Sequence, residues 1–349
     1  MTGIEKTVTN RSGAGALVLC AILFCLCACT EDASYTAGVW YRRSDFDGVA
    51  RTDAAGFTIG NKGYICGGYN GKTTRLADTW EYDIDNDWWT QRADMPGTVR
   101  NAATGFPVGN KGYITTGYNP DQKYLADTWE YDPETNTWRQ MDDFKGGARY
   151  ALGFGIDNYG YVGTGYNDNY LKDFYRFDPT AAAGSQWTIV NGFGGQKRQG
   201  ATAFVIDGKA YVCGGQNNNS DVSDFWRFDP SAATPWTQLR DIANTSDDDY
   251  DDDYTSIVRS YGVSFVIDGK AYLTLGSTAG GSYYSNYWIY DPETDLWEGD
   301  DLTAFEGSTR IHAVCFSTGI RGIIATGGSG SSSYFDDTWE LKPYEYEEE

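Results

Sequence analysis

The chain has 349 residues, 40% hydrophobic and 16% aromatic, with 43 glycines and a net charge of −22. That charge excludes a surface that tracks nucleic-acid phosphates and electrostatic adhesion to anionic lipid, both of which need clustered lysine and arginine. The cysteines show no disulfide framework and no metal spacing, so no cofactor is expected. Cys66, Cys213 and Cys315 stand singly in predicted strands, as small hydrophobes would.

The first element is an address. Lys6 and Arg11 supply a positive start, and the apolar stretch 15–27 has the length of a signal peptide, too short to span a bilayer comfortably. Leu26-Cys27-Ala28-Cys29 resembles the lipobox of bacterial lipoproteins. The resemblance implies a signal peptide over 1–28, lipidation at Cys29, a tether over 29–39 and a lipid bilayer as partner. Glu31-Asp32 resembles an acidic export tag, which implies an outer-membrane lipoprotein displayed at the cell surface. A periplasm-facing lipoprotein is the alternative.

Beyond the tether the chain repeats itself. Tryptophans recur at Trp40, Trp89, Trp138, Trp187, Trp236 and Trp297, the first four intervals being 49 residues and the fifth 61. Arg51, Arg100, Arg149, Arg198, Arg259 and Arg310 keep step, as do Gly68, Gly117, Gly165, Gly215, Gly276 and Gly328. A fixed period of this length marks a repeat architecture. Each unit predicts four short strands. Strand a follows the arginine (Arg198-Gln-Gly-Ala-Thr-Ala-Phe-Val-Ile), and a turn such as Asp207-Gly208 leads to strand b. Strand c is of the type Asp-Thr-Trp-Glu-Tyr-Asp, and strand d opens at the tryptophan.

The last unit has strands a to c but no tryptophan strand, and the chain opens with an orphan one at Trp40. Pairing the two closes a ring of six blades and removes its open edge. The expectation is an all-β, six-bladed propeller of four antiparallel strands per blade over 40–342, with an acidic solvated tail over 343–349. The paired glycines after strand b and the Tyr131-Asp-Pro-Glu-Thr-Asn-Thr-Trp138 run resemble the kelch-repeat family.

The arginines open the innermost strand, so they are expected to ring one channel mouth. Beside them fall Tyr69-Asn70, Tyr118-Asn119, Tyr166-Asn167 and Gln216-Asn217, while blades five and six offer Ser277-Thr278 and Ser329-Gly330. Two readings follow. The mouth is a polar pocket in which arginine forks take a carboxylate and tyrosines stack on sugars or peptides. Otherwise the arginines bridge carbonyls between neighbouring blades. Two residues after each arginine stand Asp53, Ala102, Ala151, Gly200, Tyr261 and His312. Of these, Asp53, Tyr261 and the sole histidine, His312, fall on adjacent blades as a polar cluster capable of acid–base work or of plain structural satisfaction. The run from Asp247 to Asp253 reads as a self-repelling loop, a lid over the arginines or a weak Ca²⁺ site.

One histidine cannot build the two-histidine copper site of galactose oxidase, which the kelch repeats otherwise resemble, and sialidase boxes are absent. No catalytic residue or metal ligand is assigned. The function expected is a non-catalytic envelope module binding a glycan or an envelope protein. The alternatives are a sugar mutarotase resembling N-acetylneuraminate epimerase, and a structural subunit of an outer-membrane complex.

Overall fold

The computed structural model describes residues 35–71 and 74–348. The expected signal peptide and the expected lipidation site Cys29 lie outside the described residues.

Six four-stranded antiparallel sheets follow one another along the chain. Blade one is Ala55–Ile59, Lys62–Cys66, Thr79–Asp83 and Trp88–Arg92. Blade two is Thr104–Val108, Lys111–Thr115, Thr128–Asp132 and Thr137–Met141. Blade three is Leu152–Ile156, Tyr159–Gly163, Phe174–Phe177 and Trp187–Val190. Blade four is Thr202–Ile206, Lys209–Cys213, Trp226–Phe228 and Trp236–Gln238; blade five is Val263–Ile267, Lys270–Thr274, Tyr287–Asp291 and Leu296–Glu298. Blade six takes Val314–Ser317, Gly322–Ala325 and Thr338–Glu348 and is completed by Tyr35–Arg43, with Trp40 opposite Leu341. The ring closes as the orphan tryptophan strand requires.

The packing unit is a phenylalanine of strand a stacked on a tyrosine of strand b. It recurs as Phe57–Tyr64, Phe106–Tyr113, Phe154–Tyr161, Phe204–Tyr211 and Phe265–Tyr272, with interplanar angles of 10–18°. Blades pack face to face, and Phe57, Phe106 and Phe265 press on Gly112, Gly160 and Gly322 of a neighbouring blade, while Phe154 and Phe204 pack with Ala210 and Ala271. A Cβ on Gly112 would sit 2.0 Å from Phe57, and one on Gly322 2.0 Å from Phe265. The Asp207-Gly208 and Asp268-Gly269 turns take positive φ at both residues, as tight hairpins between right-twisted strands demand.

Two expectations are corrected. The two closing strands run past the blade together at one end: Tyr35 pairs with Glu348, and the Tyr41 hydroxyl donates to Glu345 at 2.6 Å. Residues 35–39 and 343–348, read as tether and solvated tail, are therefore strand. The acidic run folds into the 3₁₀ turn Asp249–Asp251. There the buried Asp251 carboxylate accepts the Thr245 and Ser246 N–H groups and the Ser246 hydroxyl at 2.9–3.0 Å. Burial opposes ionisation of Asp251, but those donors hold its carboxyl below its ordinary value. Nearby, the Tyr254 hydroxyl accepts the Trp297 N–H. Among the described residues no group of three or more His, Cys, Asp or Glu is placed to hold a metal ion.

Candidate functional site

The repeated arginines divide into five and one. Arg51, Arg100, Arg198, Arg259 and Arg310 are at most 1% exposed. In each, Nε donates to the carbonyl two residues earlier and Nη1 to the carbonyl that ends strand b of the same blade, sixteen residues on. Four of them then clamp the aspartate that precedes strand c: Asp78, Asp127, Asp224 and Asp337. Asp78, Asp127 and Asp337 also accept the indole N–H of Trp80, Trp129 and Trp339 at 2.7 Å. Burial opposes ionisation of these three carboxyls, yet the arginine and indole donors hold them below their ordinary value. Arg259 has Asn286 instead, and burial without a carboxylate pushes its guanidinium down to about 10. These five are staples within their own blade. They neither line the mouth nor bridge between blades.

Arg149 is different because blade three starts one residue early. Gly117 N–H bonds to the Ala148 carbonyl as Gly68 N–H bonds to that of Arg100, so Ala148 holds the staple position. Arg149 instead pairs with Tyr166 as Thr52 pairs with Tyr69 and Asn101 with Tyr118. Its guanidinium carbon lies 5.5, 5.6 and 5.2 Å from the rings of Tyr118, Tyr150 and Tyr166. Its Nε is buried with no hydrogen-bond partner, and among the described residues no carboxylate is within ion-pair distance of it. Asp173, the aspartate preceding strand c in this blade, is left exposed. The glycine intervals carried the signal: Gly117 to Gly165 is 48 residues although Arg100 to Arg149 is 49. Phase also corrects blade six. Gly327, not Gly328, accepts the place of Gly68, so Gly328-Ser329 rather than Ser329-Gly330 leave strand b.

The slip also replaces Ala151 by Tyr150 in the next ring. Asp53, Ala102, Tyr150, Gly200, Tyr261 and His312 all take φ between 53° and 63°. Each N–H bonds to the carbonyl of the same position one blade earlier, at 2.8–3.3 Å, in a closed circle of six. Left-handed φ is costly for residues other than glycine, about 1 kcal/mol each, so this circle holds a strained collar at the channel mouth. Its side chains fill the axis. Tyr150 stacks on His312 (4.9 Å, 25°), Tyr261 lies 4.2 Å from His312 between ring centroids, and Asp53 Oδ1 is 3.1 Å from His312 Nδ1. Gln216 Nε2 donates to the Tyr261 hydroxyl at 2.6 Å. At Gly200 a Cβ would stand 2.3 Å from the Tyr261 ring, so Gly200→Ala is expected to displace that ring and lower stability by about 1–3 kcal/mol, measured as denaturant midpoint.

Burial holds the His312 imidazole below 6.5, only partly offset by Asp53, so the side chain is neutral at pH 7. Burial likewise pushes the Tyr261 hydroxyl up to about 12 and that of Tyr150 well up, the latter reinforced by Asp53. With its folded pKa depressed, His312 contributes stability that is complete above pH 6.5 and lost as the unfolded chain takes up a proton the folded one refuses. The unfolding midpoint is expected to fall between about pH 7 and about pH 5.5, and the difference against His312→Gln isolates that part of the slope.

Above the collar runs an alternating array, Tyr69, Arg75, Tyr118, Arg149, Tyr166. The Arg75 guanidinium carbon is 5.2 Å from Tyr69 and 5.4 Å from Tyr118. Short ribbons bring Tyr124 against Tyr118 and Tyr166, and Tyr334 against Tyr69. Arg75, Tyr124 and Tyr334 lie in irregular b–c loops, and the repeat gave no signal for them. The expected amides serve otherwise: Asn119 donates to the Val99 carbonyl and Asn167 to the carbonyls of Gly146 and Gly147. Asn217 and Asn70 are held through their backbones, Asn217 paired with Ser220 and the Asn70 N–H donating to the Thr74 carbonyl. A cavity of about 330 Å³ opens beside Tyr69 and Tyr334, with Asp53 and His312 in its floor. Around the mouth Thr52 Oγ1, Gln199 Oε1 and Ser260 Oγ are also buried without hydrogen-bond partners. Orphaned polar atoms in that number around one opening call for a polar occupant.

A model of the kelch motif matches residues 50–96, 108–145 and 197–238. N-acetylneuraminate epimerase of Shigella sonnei (strain Ss046) is 32% identical over 108 residues, 30% of this chain and 26% of that protein. The protein of the same name from Yersinia pestis (strain Pestoides F) is 29% identical over 164 residues, 39% and 41% of the two chains. The matched stretches thus span between about a quarter and two-fifths of these relatives. The solved structure of YjhT superposes with a TM-score of 0.69 at 15% identity, covering 85% of this chain and 95% of that one, a likeness of fold. Motif matches and six closed blades together make the chain a kelch-repeat β-propeller.

Proposed function

We propose that this propeller is a cell-envelope binding module whose mouth seats a glycan carrying a carboxylate. The displaced Arg149 carries the reading, for among the described residues no carboxylate pairs with its guanidinium, which is held between tyrosines in a chain of net charge −22. Its fork accepts the carboxylate, Tyr69, Tyr118 and Tyr166 offer ring faces to the sugar, and the orphaned hydroxyl and amide atoms meet its hydroxyls. The anchor at Cys29 belongs to the same reading. An array of neutral and uronic- or sialic-acid glycans, probed with the chain from Tyr35 onward, tests it: selective capture of acidic glycans is expected, and equal capture of neutral ones sinks it.

A second reading, mutarotation of the bound acidic sugar, rests on the Asp53–His312 pair in the cavity floor and on the partial likeness to N-acetylneuraminate epimerases. Ring opening needs a proton taken from the anomeric hydroxyl and one delivered to the ring oxygen. Neutral His312 is suited to the first, and the adjacent tyrosine hydroxyls to the second. Anomer exchange followed by NMR is expected to accelerate with the wild type and not with His312→Gln.

A further inference from the structure

Blade three departs from blades one, two and six a second time, on its outer half and away from the mouth. In blades one, two and six a strand-c carboxylate sits opposite strand b and is ringed by bases. Glu81 takes Arg92 and the Tyr64 hydroxyl, and Glu130 takes Arg139 and the Tyr113 hydroxyl. Glu340 takes Arg321, Arg43 and Lys342. The same register position is Arg176 in blade three, opposite Tyr161, and Arg227 in blade four, opposite Tyr211; of the two, Arg176 is the one that lines a cleft. Around it the basic neighbours are gone. Tyr159 stands where Lys62 and Lys111 stand, and Thr188 where Arg139 stands. Arg176 lies 4.6 Å from the Tyr159 ring, its Nε is buried without a hydrogen-bond partner, and among the described residues no carboxylate pairs with it. It lines a cleft of 310 Å³ between blades three and four, walled by Tyr161, Ile189, Phe228, Pro230 and Pro235.

We propose that this cleft is a second binding site, for a small organic carboxylate with an apolar body. The chain builds a carboxylate against this sheet position in three blades and an arginine in blades three and four; at Arg176 a cleft lies beside the cation and leaves the acid to come from outside. The guanidinium fork receives the carboxylate. The apolar walls receive the body, and the partial burial of Arg176 strengthens the pairing. The site is independent of the mouth, which Arg149 serves.

Calorimetric titration with benzoate, and with neutral benzamide as its near-isostere, tests the proposal. Saturable benzoate binding is expected, with none for benzamide, weakened about tenfold or more in Arg176→Met and unchanged in Arg149→Met. In the wild-type chain, benzoate is expected to protect Arg176 from phenylglyoxal, read by peptide mass spectrometry, which needs no variant to fold. No benzoate binding, equal binding of benzamide, survival of binding in Arg176→Met, or modification of Arg176 undiminished by benzoate overturns it. Loss in Arg149→Met alone assigns the binding to the mouth and overturns it too.

Discussion

Replacing Arg100 with methionine is expected to destabilise the folded chain by about 3–5 kcal/mol, the usual consequence of removing one partner of a buried ion pair. The arginine is 1% exposed and fixes the Thr98 and Thr116 carbonyls as well as both oxygens of Asp127. Without it Asp127 keeps the Trp129 indole alone, a carboxylate desolvated and half unpaired. For a chain of this size the thermal midpoint should drop by about 5–10 °C. The binding of an acidic glycan, measured below that midpoint, should be unchanged. A midpoint within a degree of wild type would mean that the staple is replaceable by water.

Replacing Arg149 with methionine is expected to do the opposite. Among the described residues the Arg149 side chain pairs with no carboxylate and packs against ring faces. The unfolding midpoint should stay near that of wild type, while affinity for an acidic glycan falls about ten- to a hundredfold through the lost charge-assisted pair. Affinity that survives the change, in a chain that remains folded, would remove the mouth as a carboxylate site. Comparing the two variants separates arginines of one repeat by a criterion the repeat itself does not contain.

Much of the architecture was legible in the chain. The tryptophan period, the hairpin signals such as Asp207-Gly208 and the orphan strand at Trp40 were enough for six blades and for the way the ring closes. All of these are local or periodic, and a repeat fold is built from contacts between nearest neighbours in sequence. The site was less legible. Asp53, Tyr261 and His312 were singled out from sequence and do meet at the axis, because every blade delivers the same position there. Tyr150 was missed, and Arg149 was grouped with five arginines whose work it does not share. One residue of slip in strand a changes which side chain faces the blade interior, and the 48-residue intervals from Gly117 to Gly165 and from Phe106 to Phe154 hinted at it. Arg75, Tyr124 and Tyr334 were invisible, since loops without periodicity take their positions from the ring as a whole.

By itself, then, the sequence determined the number of blades, their strand order and the closing pair, since periodicity and hydrophobic alternation decide these. Tertiary structure alone decided which arginine is spent on the fold and which is left for a ligand. That choice depends on the closed circle of six backbone hydrogen bonds and on whether a carboxylate stands within reach, as Asp127 does for Arg100 and as no described residue does for Arg149. Burial and pairing are properties of the assembled ring, and a guanidinium shows its role only once its neighbours are in place.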